Sequence, residues 1–560
     1  MIEELKDKLI SVVKKAGYPI PDGFVFEQSS SEKFGDFSTN VAILIATKEK
    51  KDPKKVAEKI VKSFDCKDIE KVEIAGKGFI NFFLKEKSHL KILKEILATG
   101  ANYAKSDIGK GKKVLIEFIS SNPTGPLHIG NARGGPIGET LSNVMSWLNY
   151  KIDREFYIND IGNQIQKFGE TLAYWYIKKY DSSYHFPENG YPGDYLKSVS
   201  ENIQKEQKNQ IEMLKDEELI DFFIKEGLEK IIREMKGDVE SLNIHFDRWV
   251  YESDFLNSGK SQQIVDELKI KGKTTEKEGA VWFSSPKYRD LSDRESVIVR
   301  SDTDKTLTYF ASDIAYHKDK FDRGFNIVID IWGANHHGHI ARINAAMAAL
   351  GYDISKLKII LYQSVRLKEK GETKQMGKRL GNYINIADLI CKMKVPADVF
   401  KYMIISQNSS TIIDFDLDLA LEQSEKNPVF YLQYAYARIS SILRKGDKKI
   451  IAELEKISRG EGELELKELE ALKDKKELKL IQVLSNLPEV LIKISNDFQI
   501  QALPYFATQV ARAYHDFYTN CQVLSDDEKR TKARLLLVLA TRNVLKISLS
   551  LMGIKALEKM

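Results

Sequence analysis

VLIEFISSNPTGPLHIGNARGG, residues 114–135, is the stretch on which the fold turns. Residues 114–119 are an apolar run rich in β-branched and aromatic side chains, the composition of a parallel strand buried on both faces. Glycine and proline crowd the segment that follows and force a loop. Beyond it Ile137, Leu141, Val144 and Leu148 recur at helical spacing. Strand, glycine-rich turn and helix in this order open a nucleotide-binding α/β fold. The loop becomes a helix at His128, Ile129, Gly130 and Asn131, where unpaired N–H groups and the helix dipole favour an anion. Gly125 and Gly130 let a ligand approach the backbone, and His128 can donate to a phosphate oxygen as charge develops there. The same residues also suit a tight turn in which they only cap the helix, and four residues do not decide between the two.

The chain around this segment has 560 residues, too many for one core, and predicts roughly three to four domains. Its 42% hydrophobic and 30% charged content places it among soluble globular proteins and not among disordered chains. A net charge of +5, from 86 basic and 81 acidic side chains, permits a nucleic-acid partner through local patches without requiring one. Cys66, Cys391 and Cys521 are too far apart for a CxxC pair or a zinc spacing, so neither a disulfide framework nor a structural metal is expected. That usage fits a reducing, cytoplasmic setting. The opening MIEELKDKLI alternates charge and lacks the apolar core of a signal segment. The most apolar tract, 535–552, is interrupted by Thr541, Arg542, Asn543 and Lys546 and reads as a buried helix, so no membrane association is expected.

Residues 1 to about 105 read as a small α+β module. Ile2, Leu5, Leu9, Val12 and Val13 mark its first helix, and 74–84 its clearest strand. The polar segment 99–112 suits a boundary. A parallel-sheet domain is expected over 106–385, with a helical insertion at about 170–295 and strand-like runs at 296–299, 326–332 and 357–362. Residues 386–425 read as a connecting helical segment and 426–560 as an all-α domain. The fold class is thus multidomain α/β: a Rossmann-type catalytic domain between an N-terminal α+β domain and a C-terminal helical one.

SSNPTGPLHIGNARG (120–134) resembles the HIGH signature of class I aminoacyl-tRNA synthetases, in the form used by the arginyl-tRNA synthetases. Asn131 stands at the last position, where the family normally has histidine. Its amide donates but cannot carry positive charge, so weaker ATP binding or turnover than the family norm is expected. KGETKQMGKRLGN (370–382) resembles the KMSK loop, with Met376 and Lys378 kept and Gln375 in place of the first lysine. An ammonium group there suits stabilisation of departing pyrophosphate, with Lys374 and Arg379 as supporting charges. The resemblance implies catalytic roles for His128, Asn131 and Lys378. It implies ATP contacts at Pro123, Gly125 and Gly130 before the helix, at Gly333 and Asn335, and at Met376 and Lys378. ATP then enters as substrate with Mg2+, and no metal is bound tightly by protein ligands.

A guanidinium calls for planar acceptors, ideally a carboxylate taking two parallel N–H bonds. Glu117 lies at the end of the first strand with Asn122 five residues later, and Tyr309 and Asp313 lie four apart, on one helix face. Both segments resemble arginyl-tRNA synthetase sequences. The resemblance implies that Tyr309 and Asp313 read the guanidinium while Ser120, Ser121 and Asn122 hold the α-amino and carboxylate end. IWGANHHGHIAR (331–342) resembles a further family segment that places His337 beside arginine; Asn335 stands where aspartate is common. YINDIGNQI (157–165) is similar to a segment that implies Asn159, Asp160 and Gln164 at the path of the tRNA acceptor end.

NPVFYLQYAYARISSILRK (427–445) resembles the opening of the family's anticodon-binding domain, where aromatic faces and arginines suit unpaired bases and phosphates. Tyr434 and Arg438 are the tRNA candidates there. FGDFSTNVA (34–42) and GKGFINFF (76–83) resemble the additional domain that reads the tRNA elbow, with Phe79 and Asn81 as the base-reading pair. The resemblance implies arginine–tRNA ligation in two in-line steps, tRNA being required for the first, by a chain expected to be a monomer. Two alternatives stand beside it: another class I synthetase, which lacks support in zinc-spaced cysteines or a large editing insertion, and a non-catalytic tRNA-binding paralogue, suggested by Asn131, Gln375 and Asn335.

Overall fold

The computed structural model describes residues 2–29, 32–214, 216–284, 296–301, 306–374, 384–458 and 461–560. The apolar run of 114–119 supplies strand β1 (Lys113–Glu117). It lies at the centre of a five-stranded parallel sheet with β2 (Lys151–Ile158), β3 (Arg248–Tyr251), β4 (Ile327–Gly333) and β5 (Leu357–Tyr362), in the order β5-β4-β1-β2-β3. Val114, Leu115 and Ile116 are all fully buried. Leu115 packs into one apolar cluster while Val114 and Ile116 pack into another, because alternate side chains leave opposite faces of the strand. The chain runs outward from β1 to β3, then returns to β4 on the other side of β1. Direction therefore reverses between β1 and β4, and the crevice beyond their carboxyl ends is where such sheets bind ligands.

The loop after β1 leads into a one-turn helix, α1 (Ile129–Ala132), and then α2 (Gly134–Trp147). The glycines of α2 permit its close approach to the sheet. A Cβ on Gly135 would come within 2.7 Å of Ile244, and one on Gly138 would overlap the Phe118 ring. Helices Asn163–Ile177, Asp194–Glu206 and α3 (Asp216–Ser241) form a helical layer after β2.

The expected helical insertion at about 170–295 is not a single helical body. The chain returns to the main sheet within it as β3, and Thr274–Lys277, Ala280–Phe283 and Ser296–Val299 form a separate antiparallel sheet. The run at 296–299 thus belongs to that small sheet and not to the parallel one. Arg248–Tyr251 is a short, partly exposed edge strand in a charged stretch, with too few apolar residues to announce itself. The segment 386–425 is likewise mixed. It holds helix Ala397–Ile405 and a strand, Ile413–Asp416, which pairs in parallel with Val365–Glu369.

α4 (Tyr309–Asp322) and α5 (His337–Leu350) complete the domain built on the parallel sheet. The N-terminal domain is a four-stranded antiparallel sheet of Phe26–Gln28, Phe37–Thr39, Phe79–Leu84 and Ile69–Ala75, in that order. It touches the helical C-terminal domain, where the Gln482 amide donates to the Asp36 carbonyl at 2.9 Å. Among the described residues no helix is long and apolar enough to cross a membrane.

Candidate active site

The chain leaves β1 through Ile119 at φ +70°, a left-handed conformation that a β-branched residue adopts only under strain. This turn aims 120–122 over the end of the sheet. Ser120 Oγ accepts from Tyr157 N–H at 3.0 Å, Asn122 donates to Gln164 at 2.5 Å, and Ser121 Oγ is buried without a hydrogen-bond partner. Pro123 and Gly125 are buried beneath the loop.

His128 is the N-cap of α1: its Nδ1 accepts from Gly130 N–H at 3.1 Å and Asn131 N–H at 3.2 Å. An accepting Nδ1 assigns the proton of a neutral ring to Nε2, which is then a donor. The capping and phosphate-binding readings are therefore compatible, since the cap uses Nδ1 alone. The Asn131 Oδ1 is buried with no partner. The turn is clamped from two sides. Leu127 N–H donates to Asp238 at 3.2 Å, and Ile129 and Ile386 exchange backbone bonds with Ile384 and Leu127 at 3.1 and 2.9 Å. Residues 384–386 follow directly on the KMSK-like segment. Gln375, Met376, Lys378 and Arg379 lie outside the described residues. Arg133, fully buried, fixes α1 by donating to the carbonyls of Gln363, Thr411 and Asn408 at 2.7, 2.7 and 3.0 Å.

Across the crevice lies a chain of buried charges. Glu117 and Asp330 are register neighbours on β1 and β4, and Lys320 of α4 donates to them at 2.5 and 2.7 Å. Burial, with the charge of Asp330, raises the Glu117 carboxyl above its ordinary range even against Lys320. Burial opposes ionisation of Asp330 as well, but Lys320 and His317 outweigh it and hold that carboxyl low. His317 Nε2 contacts Asp330 at 3.0 Å and its Nδ1 lies 3.1 Å from Asp313. Burial and Lys320 disfavour its cation, yet the two carboxylates win and push it up to about 9. Asp313 is also bonded by His339 of α5. Against burial, these two imidazoles keep Asp313 far below the usual carboxylate range.

Glu252, 2% exposed, has a carboxyl oxygen without a hydrogen-bond partner. Burial first, then the charges of Asp313 and Asp160, push it up to about 8. Asp160 itself holds Ser253 through the backbone N–H and hydroxyl, at 2.9 and 2.6 Å. Of Asp313 and Glu252, Asp313 alone is ionised near neutrality, and a cation between the two carboxyls gains the second charge once Glu252 loses its proton.

Of the residues expected to read arginine, Asp313 lies in this acidic pocket, and Tyr309 opens α4 one turn away, 62% exposed. Glu117 is not an open acceptor, being 3% exposed with its carboxylate taken by Lys320. Gly333 ends β4, and Asn335 and His337 stand exposed on the turn into α5. Glu252, Lys320 and His317 were missed by sequence reasoning. His317 could have been found, since it lies one turn beyond Asp313 on the same helix face. Glu252 lay within the supposed helical insertion and gave no signal.

On the RNA candidates, Phe79 is 43% exposed, whereas Asn81 is 3% exposed between Ser38 and Glu73 on neighbouring strands. Arg438 donates to the Tyr434 hydroxyl at 2.5 Å and lies 4.5 Å over the Tyr518 ring. Tyr434 stacks on His515 beside a groove of about 510 Å³ that Phe430 and Tyr431 also line.

Comparison with known proteins agrees along the whole chain. Residues 3–84 match the family model for the arginyl tRNA synthetase N-terminal domain, 92–399 the class I (R) tRNA synthetase catalytic domain, and 432–560 the DALR anticodon-binding domain. Arginine–tRNA ligases of Carboxydothermus hydrogenoformans and Moorella thermoacetica are 37% and 40% identical. They cover 100% and 97% of this chain, which spans 98% and 94% of theirs. The solved arginyl-tRNA synthetase of Thermus thermophilus shares the fold, with a TM-score of 0.78 at 20% identity over the full length of both chains. With signature turn, parallel sheet and all three domains matched, the chain belongs to the arginyl-tRNA synthetases, class I enzymes that ligate arginine to tRNA.

Proposed function

We propose that this chain runs the ligase reaction in the crevice beyond β1 and β4, with Asp313 as the carboxylate that reads the arginine guanidinium. The acidic pair of partly exposed Asp313 and buried Glu252 carries this reading. Tyr309 supplies a further contact, and Ser120, Ser121 and Asn122 hold the α-amino and carboxylate end. ATP lies along α1: His128 Nε2 and the first N–H groups of the helix take phosphate oxygens, Asn131 an adjacent polar contact, and Pro123, Gly125 and Gly130 the close backbone approach. Gly333 and Asn335 serve the adenosine, and His337 the arginine. Lys378, with Met376 beside it, meets the pyrophosphate.

The arginine carboxylate attacks the α-phosphorus and the bond to pyrophosphate breaks. The tRNA terminal ribose hydroxyl then attacks the adenylate carbonyl and AMP leaves. Positioning and charge do the work, with no covalent enzyme intermediate. Among the described residues no three His, Cys, Asp or Glu side chains are grouped to hold a metal. Magnesium is expected as the companion of ATP, where it would shield the phosphate charge. The anticodon-binding domain engages tRNA through the Tyr434–Arg438 face, and exposed Phe79 offers a stacking surface on the N-terminal domain. We read the enzyme as a cytoplasmic monomer whose adenylate step needs tRNA.

Pyrophosphate exchange with ATP, arginine and cognate tRNA tests the reading. Exchange is expected with arginine, lost in Asp313→Asn and strongly slowed in Lys378→Ala. Protein that binds tRNA yet never exchanges with arginine would instead be a non-catalytic paralogue.

A further inference from the structure

Asp313 has an imidazole beside each carboxylate oxygen. His317 Nδ1 lies 3.1 Å from Oδ1 but is hydrogen-bonded to the Asp313 backbone carbonyl at 2.8 Å, whereas His339 Nε2 is hydrogen-bonded to Oδ2. The two imidazoles are not equivalent. His317 is 1% exposed and anchored through its second nitrogen to Asp330 at 3.0 Å, so it cannot turn away without breaking a buried bond. His339 comes from the first turn of α5, where it leans on the rings of Phe310 and Trp332 at 5.6 and 5.8 Å. Its hydrogen bond to Asp313 is the one its ring makes among the described residues, so no second bond holds it in place as Asp330 holds His317.

A guanidinium reads a carboxylate through two parallel N–H bonds, one to each oxygen, along a single edge. On Asp313 one of those oxygens already carries His339. We propose that His339 is a resident donor which keeps Asp313 paired and yields Oδ2 to the incoming arginine. The proposal rests on Asp313 reading the guanidinium. Leaving one oxygen of a largely buried carboxylate without a donor is costly, so His339 holds Oδ2 between turnovers while His317 stays beside Oδ1. His339 does this at the expense of arginine affinity, because binding must first break its bond to Asp313. It is a positioning residue that acts through Asp313 and sets the arginine concentration at which the enzyme saturates.

The test is the KM for arginine in pyrophosphate exchange with full-length enzyme and tRNA, for His339→Ala and His339→Phe. The phenylalanine variant keeps the contacts with Phe310 and Trp332 and covers the case in which alanine loosens the pocket. Removing a competing hydrogen bond is expected to lower KM roughly three- to thirtyfold, with kcat moving less than KM. A KM that rises or stays unchanged in both variants overturns the proposal and makes His339 a permanent support of Asp313. In wild-type enzyme labelled at histidine nitrogen, adding arginine is expected to shift the His339 Nε2 resonance as its bond to Asp313 breaks. A resonance unmoved at saturating arginine also overturns it. Asp313→Asn separates the underlying reading: wild-type arginine KM in that variant would remove Asp313 from the site, whatever His339 does.

Discussion

Glu117 and Asp330 sit side by side on neighbouring parallel strands, and their two buried carboxylates share one ammonium group, that of Lys320, at 2.5 and 2.7 Å. Two carboxylates this close repel strongly in a low-dielectric interior, and one cation with its hydrogen bonds resolves the conflict. The sheet is thereby fixed directly beneath the loop that carries Ser120 to Asn122. Lys320→Met should therefore destabilise the protein by about 3–5 kcal/mol, because it leaves buried charge unpaired. Urea unfolding measures this. Adding Glu117→Gln and Asp330→Asn to Lys320→Met should recover much of the loss. A single variant within about 1 kcal/mol of wild type would mean that the triad does not hold the sheet.

Glu252 predicts the pH dependence of arginine use. Burial, then Asp313 and Asp160, push its carboxyl up to about 8, so near neutrality it is largely protonated. A guanidinium prefers the ionised form. Arginine KM should therefore fall as pH rises from about 6.5 to 8.5, by up to about tenfold per pH unit below the midpoint. For stability the sign is opposite. A carboxyl raised in the folded state contributes fully below its ordinary value of 4.5, and that contribution is lost as pH climbs towards 8. Glu252→Gln should flatten the KM profile and raise KM at pH 8.5. A variant profile parallel to wild type at every pH would rule Glu252 out of the arginine site.

Much of this was readable from residues 114–135. The strand, the turn and the helix formed where apolar content, glycine and spacing placed them, because local composition and burial agree there. The four-residue edge strand Arg248–Tyr251 was invisible, since a short half-exposed strand has no period to detect. The site divides in the same way. The place of His128 at a helix start could be read because helix starts have a sequence chemistry. Glu252 could not, because its environment is made by Asp313 and Asp160, 61 and 92 residues away in sequence, which only the fold brings near. Glu117 shows the converse: correct in residue type for a guanidinium, it is engaged by a lysine 203 residues further on.

The capping role of His128 and its proposed role toward ATP can be separated by one substitution. Nδ1 caps α1 through two backbone N–H groups, and asparagine is an equally good N-cap, so His128→Asn should unfold within about 0.5 kcal/mol of wild type. It cannot reproduce the Nε2–H donor. Adenylate formation should then slow on the order of a hundredfold, as expected when one donor to developing charge is removed. His128→Ala should lose about 1 kcal/mol of stability in addition. Should His128→Asn exchange pyrophosphate at the wild-type rate, the histidine would be a cap and nothing more.

Asp238 ties α3 to the signature turn through Leu127 N–H, and burial, helped by Glu234 and Asp388, pushes its carboxyl up to about 7 despite that hydrogen bond. The folded state thus binds a proton that the unfolded chain releases near 3.8, and stability should fall as pH rises from about 4 to 7. Asparagine keeps an acceptor for Leu127 without the charge. Asp238→Asn should remove the pH slope contributed by this residue. At pH 8 the variant should exceed wild type by at most about 4 kcal/mol. Urea midpoints at pH 5 and pH 8 check both statements. A variant less stable than wild type at pH 8 would show that the charged hydrogen bond to Leu127 outweighs the burial of the carboxylate. Asp238 would then serve the signature turn as an ionised anchor and not as a neutral one.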